Sequence, residues 1–164
     1  MKKPEPDRSL RIHDLLDEGL VIFDLRAADR ESALREMIRL LCVRDRRYSE
    51  KELYEKLLQR ERLGSTAVGD GYAIPHCRVK SSDEPVVLLA VSRKGVAFEA
   101  IDGKPVHVFF LVVTSTENLD LNLRILAAAA HLIRGSRPLL QKMRNVRSGG
   151  ELVAIVRKAE ESLL

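Results

Sequence analysis

The sequence predicts an α/β fold: a single domain with a mixed β-sheet flanked by helices on both sides. Three observations carry this expectation. Two continuous apolar runs, Pro85–Ser92 (PVVLLAVS) and Pro105–Ser115 (PVHVFFLVVTS), read as strands covered on both faces. Helical periodicity precedes them, over Asp29–Val43 and Ser49–Arg62, and follows them, over Asp120–Arg134 and Glu151–Leu163. A length of 164 residues and a hydrophobic share of 45% suit one domain with a real core. Helices, then strands, then helices place a helical layer on each side of the sheet.

Each element follows from local signals. Met1–Ser9 (MKKPEPDRS) is polar and broken by prolines, which predicts a disordered tail (residues 1–9) ahead of a domain over residues 10–164. It lacks the apolar stretch of a signal peptide. Arg11–Glu18 reads as a short helix with Ile12, Leu15 and Leu16 on one face, stopped by Gly19. Leu20–Leu25 (LVIFDL) predicts a strand. In Asp29–Val43 the apolar stripe is Ala33, Leu34, Met37, Ile38, Leu40 and Leu41. Ser49 followed by Glu52 is a capping-box signature for a helix that buries Leu53, Leu57 and Leu58 and ends by Gly64.

Glycines 64, 69 and 71, with Pro75, then mark irregular backbone around short strands. Between the two strong strands, VAFEAIDGKP reads as a weak strand and a turn at Asp102-Gly103. In Asp120–Arg134, Leu121, Leu123, Ile125, Leu126 and the alanine run are expected to pack inward, with Arg134 and Gly135 closing the helix. Pro138 fits the first turn of another short helix, and Gly149-Gly150 breaks the chain before the last one.

Composition narrows the function classes. The formal charge is +4, from 28 basic and 24 acidic residues, and aromatics are 4% with no tryptophan. Nucleic-acid binders concentrate charge and interleave aromatics, so nucleic acid is not an expected partner. Arg44, Arg46 and Arg47 read as a solvated helix end, with docking of an acidic partner as the second reading. Cys42 and Cys77 are isolated and read as reduced thiols in a cytoplasmic protein. The longest apolar runs, VHVFFLVV and ILAAAAHLI, are too short for membrane insertion.

The chemistry concentrates in RERLGSTAVGDGYAIPHCRV, Arg60–Val79. Of the four histidines, His13, His107 and His131 have structural or surface readings, and no spacing makes a metal set. His76 differs. Pro75 stiffens the backbone before it, and Gly69 and Gly71 allow close approach of the chain to a bound group. Ser65 and Thr66 offer hydroxyls, and Arg60, Arg62 and Arg78 offer guanidinium forks suited to phosphate. Imidazole is a good nucleophile near neutral pH. Residue types alone leave two readings: a phosphoryl group carried on His76, or a tight turn with a surface histidine. Cys77 reads as a buried thiol, since an extended segment points it away from His76. The phosphate-loop and dinucleotide-binding glycine motifs are absent.

LLQRERLGSTAVGDGYAIPHCRV, with VAFEAIDGKPVHVFFLVV and LNLRILAAAAHLI, resembles the fructose/mannitol-type enzyme IIA domain of the bacterial phosphotransferase system, above all its stand-alone nitrogen-regulatory members. The resemblance covers about Leu20–Leu163. It implies a phosphoenolpyruvate-dependent relay in which a phosphohistidine carrier protein (HPr-like) passes its phosphoryl group to His76, in the AIPH motif. The arginine of the Arg60-Glu61 pair is then expected to stabilise the transferring group. Ser65, Thr66 and the backbone N–H groups of Gly69–Gly71 are weaker candidates for the same duty.

One position departs from the family pattern. A second histidine is usual where this chain has Asn122, in DLNLRIL. An amide donates a hydrogen bond but carries no proton or charge to the reaction. His131 lies nine residues further on, ~13 Å along the helix, and cannot substitute. The resemblance therefore implies a regulatory, nitrogen-type protein whose phosphorylation state governs a partner. The alternatives are a sugar-specific IIA that hands phosphate to a IIB component, and a binding module that is no longer phosphorylated. No cofactor or metal is implied.

Overall fold

The computed structural model describes residues 10–80, 82–136 and 138–163; the expected tail, Met1–Ser9, lies outside them. The elements are α1 (Ile12–Leu15), a 3-10 turn (Glu18–Leu20), β1 (Val21–Ile22), α2 (Arg30–Arg44), α3 (Glu50–Arg62), β2 (Ala67–Gly69), β3 (Tyr72–Ala73), β4 (His76–Val79), β5 (Val86–Val96), β6 (Val106–Ser115), α4 (Leu119–Gly135), α5 (Leu139–Arg144) and α6 (Gly149–Glu161).

The sheet is mixed, in the order β1-β5-β6-β3-β2, with β4 also paired to β6. β5 and β6 are antiparallel, β1 joins β5 in parallel, and β3 and β4 follow each other along β6 in parallel. Alternation along β6 explains its unbroken apolar run. Phe109, Leu111 and Val113 enter one core with α2 and α3, while Val108, Phe110 and Val112 enter a second with α4, α5 and α6. All six are 0% exposed, and each such burial stabilises by about 1.5–3 kcal/mol. Phe98 meets Phe109 edge-on at 5.1 Å in the first core.

Asp29, Ser49, Asn118 and Ser148 cap α2, α3, α4 and α6, each side chain accepting from the backbone N–H three residues on. Asn118 is why α4 starts one residue earlier than expected. Four expectations are corrected. The first helix is one turn, because Leu16 is already extended. The strand expected over Leu20–Leu25 shrinks to Val21–Ile22, because Asp17 caps Gly19 and pulls Glu18–Leu20 into the 3-10 turn. No separate weak strand follows β5. That strand instead continues past a bulge to Val96, after which Ala97 and Gly103 bond to Ala28 and Ala100. Gly149-Gly150 open α6 rather than precede it, since Ser148 supplies the cap.

Candidate functional site

His76 opens β4 and lies in register with Val112 of β6. Its successors Cys77 and Val79 point into the α2/α3 core. Strand alternation therefore sends His76 to the opposite face, the one that Val112 and Thr114 share. α4 covers this face. Its first inward residue, Asn122, is 4% exposed and donates from Nδ2 to Thr114 Oγ1 at 2.7 Å. His76 and Asn122 thus share one side of the sheet. Leu123, expected inward, is 56% exposed instead. The inward line of the helix runs through Asn122, Ile125, Ala129 and Leu132, at helical spacing.

The imidazole of His76 is partly buried, and its Nδ1 lies 2.8 Å from the Ile74 carbonyl. A carbonyl only accepts, so Nδ1 carries the proton and Nε2 keeps its lone pair. Burial pushes the ring's pKa below its ordinary value; the bond to Ile74 opposes this, and the charge of nearby Arg60 adds to it. The result is a neutral imidazole of one tautomer with an unprotonated Nε2.

Arg60 sits in the last turn of α3 and donates from Nη1 to the Gly64 carbonyl at 2.9 Å. The loop after it runs beside His76, because Ile74 N–H donates to the Thr66 carbonyl at 3.0 Å. The two hydroxyls on this loop are engaged. Ser65 Oγ donates to Phe98 O and accepts from Ala67 N–H. Thr66, 5% exposed, gives its hydroxyl and its N–H to the Glu61 carboxylate. The exposed side chains of Leu63, Leu119 and Leu123 lie on the segments that carry Arg60 and Asn122.

The glycine-rich turn does other work than expected. Asp70 (φ 56°) and Gly71 (φ 90°) form the two-residue loop of the β2–β3 hairpin, which needs the left-handed region at both positions. The Asp70 N–H is donated to Asp102. His76 lies five positions beyond Gly71 in the same register along β6, ~16 Å away. Gly69–Gly71 therefore shape the hairpin and are not a cradle for a group on His76.

The remaining candidates are placed elsewhere. His107 is buried and bonded to Ser92 O, His13 is held by Glu160, and His131 is exposed on α4. Burial raises the Cys77 thiol to about 12, far from a thiolate at neutral pH. Among the described residues no group of three metal-ligating side chains comes together, and no helix is long and apolar enough to cross a membrane. Sequence reasoning missed Glu61 and Thr114 as parts of the site. A signal for Glu61 existed: it continues the buried stripe Leu53, Leu57, Leu58 of α3, where an apolar residue would be usual.

The chain is thus a small α/β domain in which an Nδ1-protonated imidazole opens β4 and feels the charge of Arg60, at the end of α3. The chain belongs to the family described as "Phosphoenolpyruvate-dependent sugar phosphotransferase system, EIIA 2", which matches residues 14–159. A nitrogen regulatory protein of Bradyrhizobium diazoefficiens is 30% identical over 145 residues, spanning 88% of this chain and 94% of the relative. The fructose-specific EIIABC component of Bacillus subtilis is 27% identical over 124 residues, 76% of this chain; the match spans only 20% of that longer protein. Among solved structures, the nitrogen regulatory protein IIA-Ntr from Neisseria meningitidis superposes with a TM-score of 0.80 at 27% identity, covering 88% of this chain and 98% of its own. IIA mannitol from Escherichia coli shares the fold at a TM-score of 0.71 and 17% identity, over 86% of this chain and 98% of its own.

Proposed function

We propose that this chain is a cytoplasmic phosphoryl acceptor that takes a phosphoryl group from a phosphohistidine carrier protein onto His76 and regulates other proteins by its phosphorylation state. The observation that carries the reading is the tautomer: the Nδ1–H···O=C bond to Ile74 leaves Nε2 as the nucleophilic nitrogen. In the transfer, the N–P bond of the donor breaks and an Nε2–P bond forms. Nδ1 keeps its proton against the Ile74 carbonyl as positive charge develops on the ring. Arg60, close enough to depress the His76 pKa, offers its charge to the equatorial oxygens of a loose transition state. The Leu63, Leu119 and Leu123 side chains offer apolar area for the docked donor. The product adds roughly two negative charges to this surface, which is the physical switch for a partner.

The regulatory assignment is supported by relatives matched over nearly their whole length, such as the nitrogen regulatory protein of Escherichia coli, 26% identical over 94% of both chains. A sugar-specific role is the second reading. One structural neighbour is a complex of enzyme IIA mannitol with phosphorylated enzyme IIB mannitol, and a IIB-type acceptor would meet the same face. Intact mass spectrometry after incubation with a phosphorylated carrier protein tests the acceptor role. We expect an acid-labile, phosphate-sized gain on the wild type and none on His76→Ala. No gain with a competent carrier would leave a binding module that works without phosphate. Onward transfer to a purified IIB component would decide for the sugar-specific reading.

A further inference from the structure

The buried acid beside the site, Glu61, has no role in the transfer described above. It is 3% exposed, directly follows Arg60, and a carboxylate at such depth is costly unless its oxygens are bonded. Both are. Oε2 accepts from Thr66 N–H at 3.0 Å, and Oε1 bonds the Thr66 hydroxyl. Burial still raises its pKa, with the Thr66 bonds and the charges of Arg60 and Arg30 opposing.

The bonding does not stop at Thr66. Its carbonyl accepts from Ile74 N–H at 3.0 Å. The Ile74 carbonyl in turn accepts from His76 Nδ1–H at 2.8 Å. One hydrogen-bonded chain therefore runs from the end of α3, through the 64–66 loop and the Ile74 peptide, to the ring. Arg60, bonded to Gly64 O, ties the other end of the loop to the same helix.

We propose that Glu61 is a positioning residue for phosphoryl transfer: by locking Thr66 it fixes the Ile74 carbonyl that holds His76 in its Nδ1–H form. The role rests on the reading of His76 as the acceptor. Without the carboxylate, the loop and the Ile74 peptide lose their anchor. The Nδ1–H then lacks a preset acceptor, and the ring populates the Nε2–H tautomer, which blocks the nitrogen that attacks. Donor binding is untouched, because Glu61 is inside the protein.

The test pairs ¹⁵N NMR of the histidine rings with transfer kinetics from a phosphorylated carrier, on the full chain. Wild type is expected to show His76 as Nδ1–H. Glu61→Ala should give a tautomer mixture and a saturating transfer rate about ten- to a hundred-fold lower. Its KM for the donor should stay within about two-fold of wild type. Glu61→Gln, which keeps one carbonyl acceptor for Thr66 N–H, should fall between on both readouts. Should Glu61→Ala not fold, Glu61→Gln and Thr66→Val, which removes only the hydroxyl bond, carry the same series. A wild-type tautomer in the folded Glu61 variants overturns the inference, whatever the rate does. A wild type that takes no phosphate overturns the acceptor reading alone, because the tautomer is read without phosphate.

Discussion

His76 and His107 make the same first contact and have opposite characters. Each ring has Nδ1 2.8 Å from a backbone carbonyl, that of Ile74 and that of Ser92. Each therefore carries its proton on Nδ1. His107, near the start of β6, is 9% exposed, and its ring lies flush against Gly95: a Cβ placed there would be 3.0 Å from Cε1 and 3.2 Å from Nε2. The ring of His107 fills the space that Gly95, at the β5 bulge, leaves open. His76, alongside the far half of β6, is only partly buried and feels the charge of Arg60. A carbonyl bond selects a tautomer in both places. Greater exposure of the residue and the charge of Arg60 set His76 apart from His107.

Substitutions test the contrast between the two histidines. The largest difference is expected between the two histidines themselves. His76→Ala should abolish the phosphate-sized mass gain, whereas His107→Ala should keep it and show a lowered Tm. Loss of phosphorylation in a folded His107→Ala would erase the distinction. Next, Arg60→Ala should slow transfer by about 10²–10³-fold with little change in Tm, measured by stopped or quenched transfer from the carrier. An unchanged rate removes Arg60 from the mechanism.

Gly95→Ala addresses the other region. Its backbone has φ 93°, and an added Cβ would come 2.8 Å from Pro105 Cβ, so a loss of about 1–3 kcal/mol is expected by denaturant unfolding. The transfer rate at His76 should not move. The pH profile gives a smaller effect. Because burial and Arg60 lower the His76 pKa from 6.5, the neutral ring already dominates above that pH. The rate should therefore be flat near pH 7 and fall only as pH drops through the depressed midpoint. Arg60→Ala removes a like charge and should move that midpoint upward. A midpoint unmoved in the folded variant would place Arg60 too far away to act. Smallest is Asn122→His, expected to alter the transfer rate or phosphohistidine lifetime by a few-fold, about the worth of one exchanged hydrogen bond. No change in either would mean that position is idle.

Local sequence determined most of the scaffold, because the forces concerned are local. Ser49 announced a helix start through a side chain that reaches only three residues ahead. The β5 and β6 runs announced a sheet covered on both sides, since each alternate residue needs its own apolar layer. The resemblance carried by the AIPH segment pointed to His76 and Arg60, and residue types alone left a turn as the rival reading. Packing in three dimensions set which partner each of these side chains meets. It turned the Thr66 hydroxyl inward to Glu61 and spent the glycines of the GDG turn on a hairpin ~16 Å from His76. It also brought Thr114 of β6 against Asn122 of α4. These pairings join residues whose burial and orientation follow from helix–sheet packing. A side chain's neighbours along the chain set its conformation, but its partners across the core set its charge, its tautomer and its access to a reactant.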